Sequence, residues 1–508
     1  MIERIKSFYV EHPLRAILTA AFLIRLVAVI FSKGYGMHDD HFLTVEPAQS
    51  WADSKFDYND WLDQKRASET LDNPSGHSLL YPGALFVFFK AASFVGMDDP
   101  QVKMFFVRLL HALFSLLIVH YGYLIVQKLK GQALAKKTGW LLALFWFLPV
   151  AGVHNFVEVV CIPALLASSW YLLLYDDHKK VKYLLYSAIW ISIAFAIRFQ
   201  VLFFFGGVGL YFLFRWRILH GIYYLFFTAL FYFITQLPDF FIWGKAFVLN
   251  QNYIDYNFKN AEEFINHPFY QYFLLVSVFI IPPLSLFFWA GYFKDIKKTL
   301  PIFLPSLCFL LIHSYFPNKQ ERFILPFIPY LIILGMMGWH TIEQQYDKWF
   351  TNKKLVKGVW IFFWVINIAG LILLTPSYNK KSRVESMYYL SQQEDANTFI
   401  MESTHDDFTI LPPLFYFNKW VYYEMMAKGY NYDRLYEVFG RDYKNFPHYI
   451  IFIEDKQLEE RISRYEKEMN QELEQVQVCE SGYLDKLVFW LNPRNKNFTF
   501  FIYRIKPF

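Results

Sequence analysis

The chain has 508 residues, 55% of them hydrophobic and 21% aromatic, with a formal net charge of +5. Apolar runs of 18 residues or more recur from near its start to about Thr375, too long and too poor in charge for water-soluble core helices, and they read as bilayer spans. The modest charge matters less than its placement, no nucleic-acid partner is expected, and Cys161, Cys308 and Cys479 support neither a disulfide framework nor a zinc site.

MIERIKSFYVEHPLR precedes an apolar stretch too long for a signal-peptide core and without a small-residue cleavage site, so it reads as a retained first span with its basic end inside. The predicted spans are 14–33, 105–127, 138–154, 156–175, 182–198, 200–214, 218–237, 269–291, 300–316, 323–341 and 358–375, about eleven in all. Segment 79–96 has the hydropathy of a span, yet counting it as one reverses every later loop. Laid at the interface instead, it leaves sixteen Lys and Arg in KLKGQALAKK, DDHKKVK, RWR, FKDIKK and 343–357, the last with Lys348, Lys353, Lys354 and Lys357. The opposite loops after residue 104 then hold five, Arg198, Lys245, Lys259, Lys319 and Arg322. The preference of basic loops for the cytoplasmic side selects the interfacial reading.

That choice brings the acidic cluster 38–60, HNFVE at 154–158, Arg198, the loop 238–268 and NKQER at 318–322 to one outer face. Convergence of rim and intramembrane polar groups on one side points to a site there. After Thr375 the spans stop. HYIIFIE (448–454) and FTFFIYRI (498–505) read as strands and KQLEERISRYEKEMNQELEQ as a surface helix, giving a soluble α/β domain over 376–508 after a membrane domain over 1–375. No glycine loop suggests a nucleotide site.

In the first outer loop Asp39 and Asp40 adjoin each other between His38 and His41, where an apolar wall meets water. The group fits a general base with a raised pKa, a metal site, or an exposed acidic loop, and composition alone leaves all three open. Lys319 and Arg322 suit a phosphate at the mouth between two spans, though Glu321 offers neutralisation and rim cations often snorkel. Arg108, Asn155, Glu158 and Arg198 are polar groups within or beside spans that need partners, a structural network being their default reading.

These residues resemble the GT-C class glycosyltransferases, specifically family 22, the lipid-phosphate-mannose-dependent mannosyltransferases of glycolipid-anchor and N-glycan assembly. DDHFLTVEPAQ is similar to that family's first-loop pattern of Asp-Glu followed by Glu-Pro, with Asp39 as the Asp, Asp40 in place of the first Glu, and Glu46 as the later Glu. HNFVE resembles its Ser-Asn-x-x-Glu segment, supplying Asn155 and Glu158 with His154 replacing the serine. The stretch from Asp239 to Tyr272 is similar to its long loop, at Asp239, Gly244, Asn252, Asn257, His267, Pro268 and Tyr272. NKQERFILPFIP resembles its His-Lys-Glu-x-Arg-Phe signature, keeping Lys319, Arg322, Phe323, Pro326 and Pro329 but placing Asn318 at the histidine and Gln320 at the first glutamate.

The resemblance implies a polytopic GT-C-like bundle with interfacial helices in the first outer loop. It also implies an inverting single displacement, in which an acceptor hydroxyl attacks the anomeric carbon and a polyprenyl or dolichyl phosphate leaves, without cofactor or obligatory metal. Asp39 would be the base, Asp40 and Glu46 would orient it or the acceptor, and Lys319 with Arg322 would hold the donor phosphate. Asn155, Glu158, Asp239, Asn252, His267 and Tyr272 are the expected sugar or acceptor contacts, and the acceptor a glycolipid or glycan. Alternatives are a transporter or flippase of lipid-linked sugars, with its polar groups near mid-membrane, and transfer of an amino-sugar or other glycosyl unit to lipid A or protein. The Phe- and Lys-rich composition favours a bacterial inner membrane over the endoplasmic reticulum.

Overall fold

The computed structural model describes residues 2–55, 78–260, 266–346, 353–404, 410–442 and 444–506. Residues 56–60 of the acidic first loop and Lys348 lie outside the described residues. The chain packs as two units, one of Met1–Ile30, Pro74–Gly83 and Val107–Pro376, the other of Phe31–Asn73, Ala84–Phe106 and Ser377–Phe508.

Among the described residues, seven helices are long and apolar enough to cross a membrane: Pro13–Phe31, Pro100–Lys130, Val157–His178, Ile218–Trp243, Ile296–Tyr315, Glu321–Gln345 and Lys354–Leu374. Val181–Ile197 and Phe199–Phe214 are shorter apolar helices. So is Leu80–Phe94, whose 15 residues rise about 22 Å at 1.5 Å per residue, less than a hydrocarbon core of ~30 Å.

Interior helices of the first unit meet through small residues, which let backbones approach closely where lipid removes much of the hydrophobic drive to associate. A Cβ on Gly291 would lie 2.1 Å from the Gly335 carbonyl oxygen, and one on Gly338 would lie 1.9 Å from that of Gly291. This fixes the crossing of Leu284–Tyr292 on Ile328–Gln345. Buried hydroxyls are paired across helices, as in Ser168 with Ser187, Ser169 with Tyr330 and Tyr292 with Ser306. The span expected over 138–154 is instead broken, with helix Gln132–Leu144 followed by the single turn Leu148–Ala151. Such a break frees backbone groups that must find partners inside the bundle. Asn367 supplies two, its amide donating to the Leu144 carbonyl at 2.8 Å and its oxygen accepting the Trp146 N–H at 3.0 Å.

The second unit holds a five-stranded sheet of β1 (Ile400–Glu402), β2 (Glu424–Met426), β3 (Tyr449–Ile453), β4 (Leu473–Cys479) and β5 (Phe500–Ile505), in the order β2-β1-β3-β5-β4. β2, β1 and β3 run parallel, whereas β5 is antiparallel to β3 and β4. HYIIFIE and FTFFIYRI are thus paired neighbours. The expected surface helix is shorter than its sequence pattern: Leu458–Met469 ends at Asn470 in the left-handed conformation, and the alternating LEQVQVC that follows becomes β4. Buried Arg461 secures the helix to the sheet, donating to the carbonyls of Ile453 and Glu454 and to the Glu402 carboxylate.

The first loop belongs to the same unit. Gly34 pairs with Asn379 in a parallel bridge, and the Asn379 N–H donates to the Lys33 carbonyl at 3.1 Å. Tyr388 donates to Asp99 at 2.7 Å, and the Trp420 indole N–H to Asp53 at 2.7 Å. The first loop and the segment after Ser377 are thus packed together within this unit.

Gly34 has φ +77°, and a Cβ there would sit 1.8 Å from the Asn379 carbonyl oxygen. Gly34→Ala should therefore lower stability by about 2 kcal/mol or more, strained conformation and clash adding together. Gly83→Ala, in a helix with nothing within 4 Å of the new methyl, should be neutral or stabilising by up to ~1 kcal/mol. Thermal unfolding of the two purified variants in detergent measures the difference.

Candidate functional site

In the first unit the site grows from three chain reversals. The chain is extended at Phe156 and then turns once at Val157–Val160, which buries Glu158 completely. Arg198 leaves helix Val181–Ile197 in an extended conformation, so its side chain turns back on the helix ends. Lys319 and Arg322 flank the start of the tight turn Glu321–Phe327, which precedes a long helix. Arg198 Nη2 is 3.1 Å from Glu158 Oε1, and Arg322 Nε is 3.5 Å from the same oxygen. Both guanidinium groups stand over the Phe323 ring, at 5.0 and 5.6 Å from its centroid, in cation–π contact. Gln200 and Gln320 orient them, each side-chain oxygen accepting from the neighbouring arginine at 2.9 Å. Gln320 is one of the two residues, with Asn318, that depart from the family signature, and an amide oxygen there steers Arg322 without adding a negative charge.

Lys319 is buried, and its ammonium donates to the carbonyls of His267 at 2.8 Å and Phe316 at 2.6 Å. Burial holds its pKa below the ordinary value. Glu321 is exposed. Asn266 and Asn318 form an antiparallel bridge, and the Tyr272 hydroxyl donates to the Gln320 carbonyl at 3.0 Å, so His267 and Tyr272 brace the Lys319 loop through the backbone. One buried carboxylate thus meets two arginines, and Lys319, three residues before Arg322, is held by carbonyls alone, an arrangement with cationic charge to spare for a phosphate.

The remaining expected residues of this unit are more dispersed. Asn155 donates to the Tyr81 hydroxyl at 2.7 Å, which in turn meets His111 Nε2 at 2.9 Å. Asp239 is buried in helix Leu237–Trp243, and Asn252 is half-buried on helix Val248–Lys259. Next to Asn252, Tyr253 sets its ring edge-on to Phe199 at 5.3 Å, beside Arg198 in the chain. Arg108 donates to the Val29 carbonyl at 2.9 Å, a helix-to-helix tie. Arg25, which the sequence reading passed over, is wholly buried and donates to Ser115 Oγ at 2.8 Å.

In the second unit the acidic cluster sits on a bent helix. His38–Asp40 runs into a π-helical turn at His41–Val45 and then into Glu46–Ala52. Wide turns of this kind are frequent at functional sites because they redirect side chains. Asp39 is half-buried and Asp40 buried. Burial pushes the His38 pKa down to about 4, opposed by Asp39 and helped by Arg383, so its imidazole is neutral near pH 7. Glu46 has no exposure; it accepts the Phe415 backbone N–H at 3.0 and 3.1 Å and meets His41 Nε2 at 3.0 Å. His41 lies between Tyr35 and Tyr416, with ring centroids at 4.5 and 5.7 Å and near-parallel planes. The Glu46–Phe415 and His41–Tyr416 contacts span more than 360 residues of chain, and no local pattern announces them. Among the described residues no three His, Cys, Asp or Glu side chains group as metal ligands.

The helical bundle and its polar ends define an integral, multi-pass membrane protein of the GT-C fold. Its whole-chain likeness is to the crystal structures of ArnT from Cupriavidus metallidurans. In the undecaprenyl phosphate complex the TM-score is 0.58 at 13% identity, covering 87% of this chain and 93% of that one. In the apo state the TM-score is 0.57 at 12% identity, covering 96% and 97%. The profile of the Alg9-like mannosyltransferase family matches residues 16–420, and the chain belongs to that family. It is 32% identical to GPI mannosyltransferase 4 of Saccharomyces cerevisiae over 127 residues, 24% of this chain and 23% of that protein. It is 23% identical to mannosyltransferase APTG1 of Arabidopsis thaliana over 182 residues, 31% of this chain and 32% of that protein. The matched stretches thus span about a quarter of the first relative and about a third of the second.

Two consequences are measurable. Glu158→Ala leaves Arg198 and Arg322 without their shared carboxylate and should cost about 3–5 kcal/mol, the usual loss when one partner of a buried ion pair is removed; a lowered thermal midpoint reports it. Glu46 behaves differently, because burial raises its carboxyl pKa above the ordinary 4.5, against the lowering contacts of His41 and Phe415. The folded protein then holds a proton that the unfolded chain releases, so this contribution is present below pH 4.5 and falls as pH rises above it. Glu46→Gln, neutral throughout, should show a flatter decline of thermal midpoint than the native chain over that window.

Proposed function

We propose that the protein is a mannosyltransferase that takes its sugar from a polyprenyl or dolichyl phosphate carrier and transfers it, with inversion, to a glycolipid or glycan hydroxyl at the non-cytoplasmic face. The carrying observation is the pairing of Arg198 and Arg322 on the buried carboxylate of Glu158, with Lys319 held by backbone carbonyls three residues before Arg322 in the chain. Preorganised cations of this kind stabilise a leaving phosphate as charge develops on it. Family membership supports mannose as the sugar, and undecaprenyl phosphate bound to the ArnT structure supports a lipid phosphate as the carrier.

In the proposed step the Asp39 carboxylate takes the proton of the acceptor hydroxyl. The oxygen bonds to the anomeric carbon from the face opposite the carrier, and the carrier phosphate leaves with the electron pair of the broken bond. Asp40 and Glu46 position the first-loop helix, Glu46 through Phe415 and His41. Asn155, Asp239, Asn252, His267 and Tyr272 remain the candidate sugar and acceptor contacts, and no metal or cofactor enters the reaction. Residues 376–508 would form the soluble part of the outer face. A flippase is less favoured, because the charged cluster lies at helix ends rather than along a path at mid-membrane. Composition supports a bacterial inner membrane, whereas the two curated relatives come from a yeast and a plant; fractionation of the source cells decides between the compartments.

Asp39→Asn removes the basic carboxylate while keeping its size, so single-turnover transfer from labelled polyprenyl-phosphate mannose should fall by about two to four powers of ten with donor binding retained. Near-native transfer by that variant would exclude Asp39 as the base. Movement of label across vesicle membranes without a new glycosidic bond would exclude the transferase reading altogether.

A further inference from the structure

At the end of the first unit remote from Glu158, three loops are tied together. Lys130 pairs with Asp295 at 2.7 Å, Thr341 donates to the same carboxylate at 2.7 Å, and the Lys294 ammonium lies over the Tyr346 ring. Lys128, Lys130, Lys136, Lys137, Lys294, Lys297 and Lys298 gather in the chain segments at this end, which marks it as cytoplasmic. Here helix Lys353–Leu374 stands apart from its neighbours. It is pinned near its middle by Asn367, which bonds to Leu144 and Trp146. Towards its N-terminal end it leaves a chamber of about 750 Å³ against helices Gln132–Leu144 and Ile328–Gln345. This volume is within the ~300–1,000 Å³ range of small-ligand sites.

The chamber is amphipathic. Four tryptophans, Trp140, Trp339, Trp360 and Trp364, form its walls, and its polar groups include Lys137, His340, Glu343 and Lys357. Glu343 accepts the Trp339 indole N–H at 2.9 Å, and His340 meets Gln344 at 3.1 Å. Lys137 and Lys357 are exposed and have no ion-pair partner among the described residues. The chamber continues into a second space of about 590 Å³ that shares Lys357, Trp360 and Trp364 and runs along an apolar helix face to Ile372. From Lys357 to Ile372 that face rises about 22 Å at 1.5 Å per residue, longer than one leaflet of a ~30 Å core.

We propose that this chamber and groove hold an anionic glycerophospholipid of the cytoplasmic leaflet. Its headgroup phosphate lies against Lys137 and Lys357, its glycerol region lies among the tryptophans, and one acyl chain runs along the groove towards Ile372. The charge of the mouth selects this occupant, since two lysines against one hydrogen-bonded carboxylate favour an anionic headgroup over a zwitterionic one, and anionic lipids concentrate on that leaflet. The site is separate from the Lys319–Arg322 cluster and needs no assumption about the reaction catalysed. Its occupant would wedge helix Lys353–Leu374 against the bundle.

The test reconstitutes the full chain in nanodiscs of equal phosphatidylglycerol and phosphatidylcholine, extracts it into mild detergent and counts retained lipids by native mass spectrometry. Phosphatidylglycerol should be enriched about fivefold or more over the bilayer ratio, the discrimination one lysine supplies at an anionic surface. The double variant Lys137→Gln, Lys357→Gln should return the ratio to that of the bilayer, whereas Lys297→Gln, outside the chamber, should leave it enriched. Ala369→Trp, which fills the groove from its exposed side, should reduce the total lipid retained. A native ratio equal to the bilayer's, or enrichment that survives the double variant, would overturn the proposal and leave the tryptophans as an interfacial belt.

Discussion

A charge inside a helix bundle solvated by lipid has no water to turn to, so it must find its counter-charge within the protein. Glu158 is the point at which this constraint organises the first unit. Its carboxylate has no exposure and meets the guanidinium groups of Arg198 and Arg322. Those arginines come from helix ends far apart in sequence, and their meeting fixes where the two chain reversals can stand. The Phe323 ring and two glutamine oxygens then set the planes of the guanidinium groups. Because one carboxylate serves two arginines, and Lys319 is held by carbonyls alone, the network that satisfies the buried acid also leaves a positively charged mouth.

The second unit obeys the same rule with backbone in place of a counter-ion. Glu46 is buried where the first loop meets the start of the short helix Leu414–Phe417, and the Phe415 N–H and His41 take its oxygens. Stacking of His41 between Tyr35 and Tyr416 adds flat surfaces on both sides. Asp39, half-buried seven positions earlier, rides on a helix whose orientation these contacts determine. The later glutamate of the first-loop motif is thus a fastening, and the earlier carboxylate is the one within reach of a solute.

Glycine and asparagine do quieter work at the places where backbones must touch. Gly291, Gly335 and Gly338 bring two helices to near contact, and Gly34 admits the carbonyl of Asn379. Asn367 heals the break after Leu144, which no hydropathy profile distinguishes from a continuous span.

The sequence by itself determined the membrane class, the family resemblance carried by four short motifs, and the two strand runs that became β3 and β5. These are local properties: runs of apolar residues, period-two alternation and short motifs report the solvent each segment meets. Tertiary structure alone decided that helix 458–469 stops at Asn470, that the segment after Leu144 breaks, and that Glu158 binds two arginines. It likewise decided that Glu46 reaches Phe415, 369 residues away. Such pairings depend on which buried groups end up within hydrogen-bond distance once the helices have packed, and a linear pattern specifies the need for a partner without specifying which one is near.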